Sequence, residues 1–213
     1  NFTVTISSPQ AYPIFVSYST SNFTAIAGLD YISNVGTLLF APGETTKTIT
    51  IQIINDFLYD GNESYNLTLS NAQEAILLLP MSFSSTTAIG SIINDDPLIS
   101  ISNPTTVTEN NSVQIFTIAL SSPVSYHVSV QYTTTNISAM SGSDYNGVTD
   151  TLIFAPGEIT KTIQVNILND YLYEGSPSYS FFLSNPKNAD LNSPMTLNIS
   201  NVMATILNDD PLV

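Results

Sequence analysis

The sequence predicts an all-β protein made of two tandem antiparallel β-sandwiches of about seven strands each. The first observation behind this is a repeat at a constant offset of 114. It carries Asp30-Tyr31 onto Asp144-Tyr145, Phe40-Ala-Pro-Gly-Glu44 onto Phe154-Ala-Pro-Gly-Glu158, and Asn94-Asp-Asp-Pro-Leu98 onto Asn208-Asp-Asp-Pro-Leu212. A fixed period marks an array of like units. The second observation is alternation of apolar and polar residues at period two, and the third is the lack of any sustained 3.6-residue apolar period.

In the second copy, strands are expected near 98–103, 112–121, 126–135, 148–155, 159–168, 177–185 and 199–208. Ile163, Val165 and Ile167 alternate with Thr162, Gln164 and Asn166, as Ile49, Ile51 and Ile53 do with Thr48, Thr50 and Gln52. Such alternation turns one set inward and the other to water. Val128, Val130 and Tyr132 repeat the pattern, as do Ile14, Val16 and Tyr18. Pro42-Gly43 and Pro156-Gly157 suit a turn with Pro at its second and Gly at its third position. Short strands with frequent turns make a two-sheet sandwich.

The expected domains are 1–97, lacking its first strand, and 98–213. Asn1 aligns with Ile115, so the first copy has no counterpart of 99–114, and the chain is expected to be a piece of a longer array. No Gly/Ser linker separates the copies, which predicts a stiff junction. Aromatic pairs at the repeat offset (Tyr12/Tyr126, Tyr18/Tyr132, Tyr31/Tyr145, Phe40/Phe154, Tyr59/Tyr173 and Tyr65/Tyr179) are expected in core and corner packing.

Composition removes several functions. Seventeen acidic residues face only Lys47, Lys161 and Lys187, with no arginine, so the basic face that nucleic acid requires is missing. The absence of cysteine rules out disulfides and thiolate metal sites. No apolar run approaches the roughly 18–20 residues of a membrane span, so no membrane insertion is expected. No enzyme is expected either: there is one histidine, His127, with Pro13 at its repeat position, and no Gly-x-Ser-x-Gly.

The few carboxylates concentrate at recurring points. The second copy has Glu109, Asp144, Asp170, Glu174, Asp209 and Asp210, with Asn169 and Asn208 beside them. The first has Asp30, Asp56, Asp60, Glu63, Asp95 and Asp96, with Asn55 and Asn94. All fall at expected strand ends or in the loops beyond, where a sandwich gathers them into one cluster. Grouped carboxylates repel unless a cation sits among them, and loop Asp and Asn oxygens suit calcium, which takes 6–8 oxygen ligands. Glu44 and Glu158 are expected on the surface. The sequons at Asn22, Asn66, Asn136 and Asn198 are read as chance products of an Asn- and Thr-rich composition.

These residues resemble the Calx-beta domain, a module named for sodium–calcium exchangers and also found in integrin subunits and large bacterial or cyanobacterial surface proteins. The resemblance rests on Ala139–Tyr145, Leu152–Glu158, Ile167–Asp170 through Tyr173-Glu174, and Ala204–Asp210. In the first copy it rests on Ala25–Tyr31, Leu38–Glu44, Ile53–Asp60 and Ile92–Asp96. It implies an immunoglobulin-like seven-stranded sandwich with calcium held at one tip by the twelve carboxylates named above. Asn55, Asn169, Asn94 and Asn208 stand where the family has Asp, and Pro177 where a Glu is common, which implies weaker binding or fewer ions.

The expected function is a calcium-binding structural or adhesive repeat of an extracellular, cell-surface protein, with calcium rigidifying the tips and the junction. Its expected partners are calcium ions and neighbouring repeats, with a glycan or surface protein as a further partner. The alternatives are a glycan- or protein-binding adhesin, using faces such as Thr133-Thr-Thr135, and a calcium-sensing regulatory domain of a membrane protein.

Overall fold

The computed structural model describes every residue except Leu77, Asn111, Leu212 and Val213. Leu212, which closes the second Asn-Asp-Asp-Pro-Leu motif, therefore lies outside the described residues. The chain forms two compact units, Asn1–Asn55 with Asp60–Asn94, and Asp56–Tyr59 with Asp95–Val213. Both are built of strands, and no helix occurs among the described residues.

The first unit holds β1 (Phe2–Thr5), β2 (Ile14–Asn22), β3 (Val35–Phe40), β4 (Thr46–Ile49), β5 (Glu63–Glu74) and β6 (Thr87–Ile92). One sheet runs β3-β2-β5-β6, and β1 pairs with β4 in the other. All these pairings are antiparallel. The second unit holds β7 (Leu98–Ile101), β8 (Val107–Thr108), β9 (Val113–Leu120), β10 (Val128–Asn136), β11 (Thr149–Phe154) and β12 (Thr160–Asn166). It continues with β13 (Ser178–Asn188), β14 (Ser193–Pro194), β15 (Thr196–Ile199) and β16 (Asn201–Leu207). Its sheets run β12-β9-β7-β15 and β11-β10-β13-β16-β8, with β14 on β13.

Alternation explains the core of the second unit. Phe116, Ile118 and Leu120 turn inward from β9, Val128 and Val130 from β10, Tyr179, Phe181 and Leu183 from β13, and Val202, Ala204 and Ile206 from β16. The Phe116 and Phe181 rings stack at 4.3 Å between centroids, an arrangement worth about 0.5–1.5 kcal/mol beyond its buried area. Ile99 and Ile101 of β7 are fully enclosed.

Two pairings depart from the antiparallel expectation: β15 lies parallel to β7, and β8 parallel to β16. The cause is a strand that changes sheets. β7 belongs to one sheet and β8 to the other, and Pro104 lies between them, with no N–H to continue the first ladder. This crossing carries the chain to Glu109, whose backbone N–H donates to the Leu207 carbonyl at 2.9 Å.

The aromatic expectation holds for Tyr31, Tyr65, Tyr145, Tyr179, Phe40 and Phe154, which are buried, while Tyr18, Tyr126 and Tyr132 are half-buried against the cores. It fails for Tyr12, Tyr59 and Tyr173, which are exposed. Tyr59 and Tyr173 lie in loops, where no facing sheet covers a ring.

Candidate metal centre

The acidic end of the second unit begins with a fixed turn. Gly142 adopts a φ of 93°, open to glycine because it has no Cβ, and the chain doubles back so that the Asp144 carboxylate accepts the Met140 N–H at 2.6 Å. Tyr145 is fully buried and stacks on Tyr179 at 4.1 Å. Its hydroxyl donates to Asn136 Oδ1 at 2.6 Å, and the Ser141 N–H donates to the same oxygen at 2.9 Å. The Leu168 N–H then donates to the Asp144 carbonyl at 2.9 Å, which ties this turn to the chain just before Asn169-Asp170.

Beyond β12 the Asp170 carboxylate accepts the Leu172 N–H at 2.7 Å, shaping an Asx turn. Asn208 clamps two loops. Its Oδ1 accepts the Glu174 N–H at 3.1 Å, and its Nδ2 donates to the Asp210 carbonyl at 2.8 Å. Asn169 Nδ2 donates to the Asp170 carbonyl at 3.1 Å. Read from the sequence as weakened ligands, these two asparagines spend their amides on holding the loops in place.

Glu109 lies at the centre. Its carboxylate groups with those of Asp170 and Glu174, and separately with those of Asp209 and Asp210, one oxygen of each lying within 4.8 Å of the others in both groups. Asp144 adjoins Glu174. Glu109 is 1% exposed, and neither Glu109 Oε2 nor Asp210 Oδ2 has a hydrogen-bond partner among the described residues. The lysines are engaged elsewhere: Lys47 with Glu44, Lys161 with Glu158, and Lys187 with Asn192.

The electrostatic consequence follows. Burial pushes the Glu109 carboxyl up to about 7, helped by the negative charges of Asp170, Asp210, Glu174 and Asp209. Glu174 is raised by burial and then by Asp144 and Asp170. Asp210 is raised by burial and then by Asp209 and Asp170. Opposed carboxylates of this kind, placed at loop ends, suit a hard divalent cation.

The first unit repeats the turn. Asp30 accepts the Ile26 N–H at 2.6 Å, and the Tyr31 hydroxyl and Ala27 N–H meet at Asn22 Oδ1 at 2.8 and 2.9 Å. The Asp60 N–H reaches Asn94 Oδ1 at 3.3 Å, and in the Asp56–Tyr59 segment, which belongs to the second unit, Asp56 accepts the Leu58 N–H at 2.9 Å. Asp30, Asp56, Asp60, Glu63, Asp95 and Asp96 enter neither of the two acidic groups. The positioning roles of Asn22 and Asn136 were missed by reading both as chance sequons, although their recurrence at the repeat offset was a visible signal.

Comparison with known proteins agrees with the repeat. The Calx-beta domain family matches residues 1–91 and 92–210. Sodium/calcium exchanger 1 of Canis lupus familiaris is 30% identical over 213 residues, covering 92% of this chain and 21% of that protein. Sodium/calcium exchanger Calx of Drosophila melanogaster is 30% identical over 176 residues, covering 81% of this chain and 18% of that one. Extracellular matrix protein 3 of Lytechinus variegatus is 27% identical over 201 residues, covering 91% and 6%. The chain thus spans about a fifth of the length of the exchangers it matches.

These relatives correct one expectation. The more similar of them are sodium/calcium exchangers and not surface adhesion proteins, so the extracellular, cell-surface placement is withdrawn. That placement had come from the surface proteins among the family's known hosts, and composition has no term that reports which side of a membrane a domain occupies. The repeat, the sandwich fold and the family match over both copies lead to one conclusion: the chain consists of tandem Calx-beta domains and belongs to that family.

Proposed function

We propose that the acidic end of the second unit is a calcium site and that the chain is a calcium-responsive, non-catalytic regulatory segment of a larger membrane protein. The observation that carries this is Glu109, a buried carboxylate with one unpartnered oxygen, shared between two acidic groups that no lysine neutralises. The geometry fits. Calcium–oxygen distances of about 2.3–2.6 Å place ligand oxygens up to roughly 4.6–5.2 Å apart across the ion, and both groups lie within 4.8 Å.

The proposed ligands are Glu109, Asp144, Asp170, Glu174, Asp209 and Asp210. By the 114-residue offset, Asp30, Asp56, Asp60, Glu63, Asp95 and Asp96 are their proposed counterparts in the first copy of the sequence repeat. Calcium, when bound, supplies the positive charge that this end lacks. The residues do the rest. Asn208 and Asn136 hold the loops at the separation the carboxylates need, and Asp170 and Glu174 present oxygens from one loop while Asp209 and Asp210 present them from the end of β16. Glu109 joins the two sets. Ion-free, the carboxylates repel by roughly 4 kcal/mol per pair at 4 Å and an effective dielectric near 20. Their loops therefore loosen, and this loosening is the signal. The relatives named sodium/calcium exchangers support the regulatory reading, and the adhesive one is dropped with the placement it required.

A calorimetric calcium titration tests this, with the Glu109→Gln variant alongside. Saturable binding that weakens at least tenfold in the variant, or about 1.4 kcal/mol, is the expected result. Absence of binding at millimolar calcium, or equal binding by the variant, overturns the proposal.

A further inference from the structure

Strand β9 alternates strictly over its first residues. Val113 and Ile115 are exposed, while Gln114, Phe116, Ile118 and Leu120 face the core. Large apolar side chains fill three of these four inward places, and the fourth holds an amide that is 0% exposed. Gln114 Nε2 donates to the Thr105 carbonyl, but Oε1 has no hydrogen-bond partner among the described residues. Burying an amide with its oxygen unmet costs free energy that an apolar residue of similar size does not. Core packing alone therefore gives no reason for glutamine here.

The reason lies in what the amide holds. Thr105 belongs to the crossing that carries the chain from β7 in one sheet to β8 in the other. Before the crossing the Ser102 N–H still donates to the Thr117 carbonyl of β9, at 3.0 Å. After it, Val107 and Thr108 pair with β16, and Glu109 follows at once. Gln114 thus grips the crossing midway. On the far side of Glu109 the Ser112 hydroxyl donates to the Thr108 carbonyl, and the Ile167 N–H donates to the Ser112 carbonyl at 2.9 Å. The arc that carries Glu109 is fastened by Gln114 before it and by Ser112 after it. Thr105 is itself exposed, so its carbonyl turns to water when the Gln114 donor is removed, and the arc is freed without a buried orphan.

We propose that Gln114 is a positioning residue of the calcium site: its buried amide fixes the path of residues 103–108, and through that path the point at which Glu109 joins the two acidic groups. This rests on the calcium reading of the acidic end. Removing a group that sets the place of a metal ligand typically changes metal affinity by about 10–100-fold. Placement of one carboxylate also explains why an amide occupies an apolar slot.

Gln114→Leu in the intact chain tests this, because leucine fills the slot without a donor. Gln114→Met, closer in shape, is the second variant should leucine fail to fold. In chelator the slowest-exchanging amides of β9 and β13 should keep or gain protection, since an unmet buried oxygen has been removed. Exchange at residues 107–109 should quicken by about tenfold as the arc loosens. Calcium binding by calorimetry should weaken by about tenfold. Calcium affinity equal to that of the unaltered chain overturns the proposal. So does a fall in affinity accompanied by a matching loss of protection in β9 and β13, which marks a general loss of stability. Unchanged exchange at residues 107–109, beside normal calcium binding by the unaltered chain, overturns the placement alone. Absence of calcium binding by the unaltered chain sinks the calcium reading itself, and this proposal with it.

Discussion

The two units have the same loops and different cores. Around Asp30 and Asp144 the hydrogen bonds agree closely: 2.6 Å from Ile26 and from Met140, and 2.9 Å from Ala27 to Asn22 and from Ser141 to Asn136. Tyr31 stacks on Tyr65 at 4.4 Å as Tyr145 does on Tyr179 at 4.1 Å. The interiors differ. The second unit has one continuous cluster through Ile99, Ile101, Phe116 and Phe181. In the first, Tyr31, Ile51 and Tyr65 form one cluster and Ile14, Val16 and Phe40 another. Val4, Leu38 and Leu69 touch both clusters. Turn geometry closes over a few residues and so recurs, whereas a core depends on every strand that packs into it.

The largest test of that contrast is a matched truncation. Phe116→Ala should lower the stability of the second unit by about 3–5 kcal/mol, while Phe2→Ala, at a half-buried place, should cost the first about 1–2 kcal/mol. Unit-resolved hydrogen exchange in urea measures both, and equal losses would break the comparison.

Next comes pH. Folding raises the Glu109 carboxyl from 4.5 to about 7, so between these values the folded state holds a proton that the unfolded state has released. The slope of stability with pH is then negative. With chelator present, the second unit should lose up to about 3 kcal/mol as pH rises through this window, at about 1.4 kcal/mol per pH unit, and Glu109→Gln should flatten the curve. Rising stability over the same range would contradict the buried, ion-free Glu109.

Calcium should act in the opposite sense. At a hundredfold excess over its dissociation constant, it should stabilise the second unit by about 2.7 kcal/mol, read as a higher melting temperature than in chelator. An unchanged melting temperature would remove the ion from the account.

The smallest effect tests the shared loops. Asn22→Ala and Asn136→Ala each leave a buried tyrosine hydroxyl without its acceptor, at a cost of about 1–3 kcal/mol. Similar losses in the two units are expected, and a large disparity would show that the loops are not equivalent.

Much of this was legible. The alternation of Ile163, Val165 and Ile167 located β12, Pro156-Gly157 located the turn before it, and the seven expected strands of the second copy all have counterparts. Tyr59 and Tyr173 misled because recurrence alone cannot distinguish a buried ring from an exposed one. The two-residue β8 and β14 are too short to show alternation. The pairing of β15 with β7 is parallel and long-range, so no hairpin turn announces it. The clamp made by Asn208 reaches Glu174 in a distant loop, whereas Asn136 holds Ser141 and Tyr145, near it in sequence, and only its recurrence at the repeat offset marked it.

What the sequence determined by itself was the repeat, the strand periodicity and the family, because each is written in residues near one another or at a constant offset. Only the tertiary structure decided that Glu109 is buried between two acidic groups. Its place depends on where the segment from β7 to Glu109 crosses between sheets, and that path is set by packing between strands far apart in the chain.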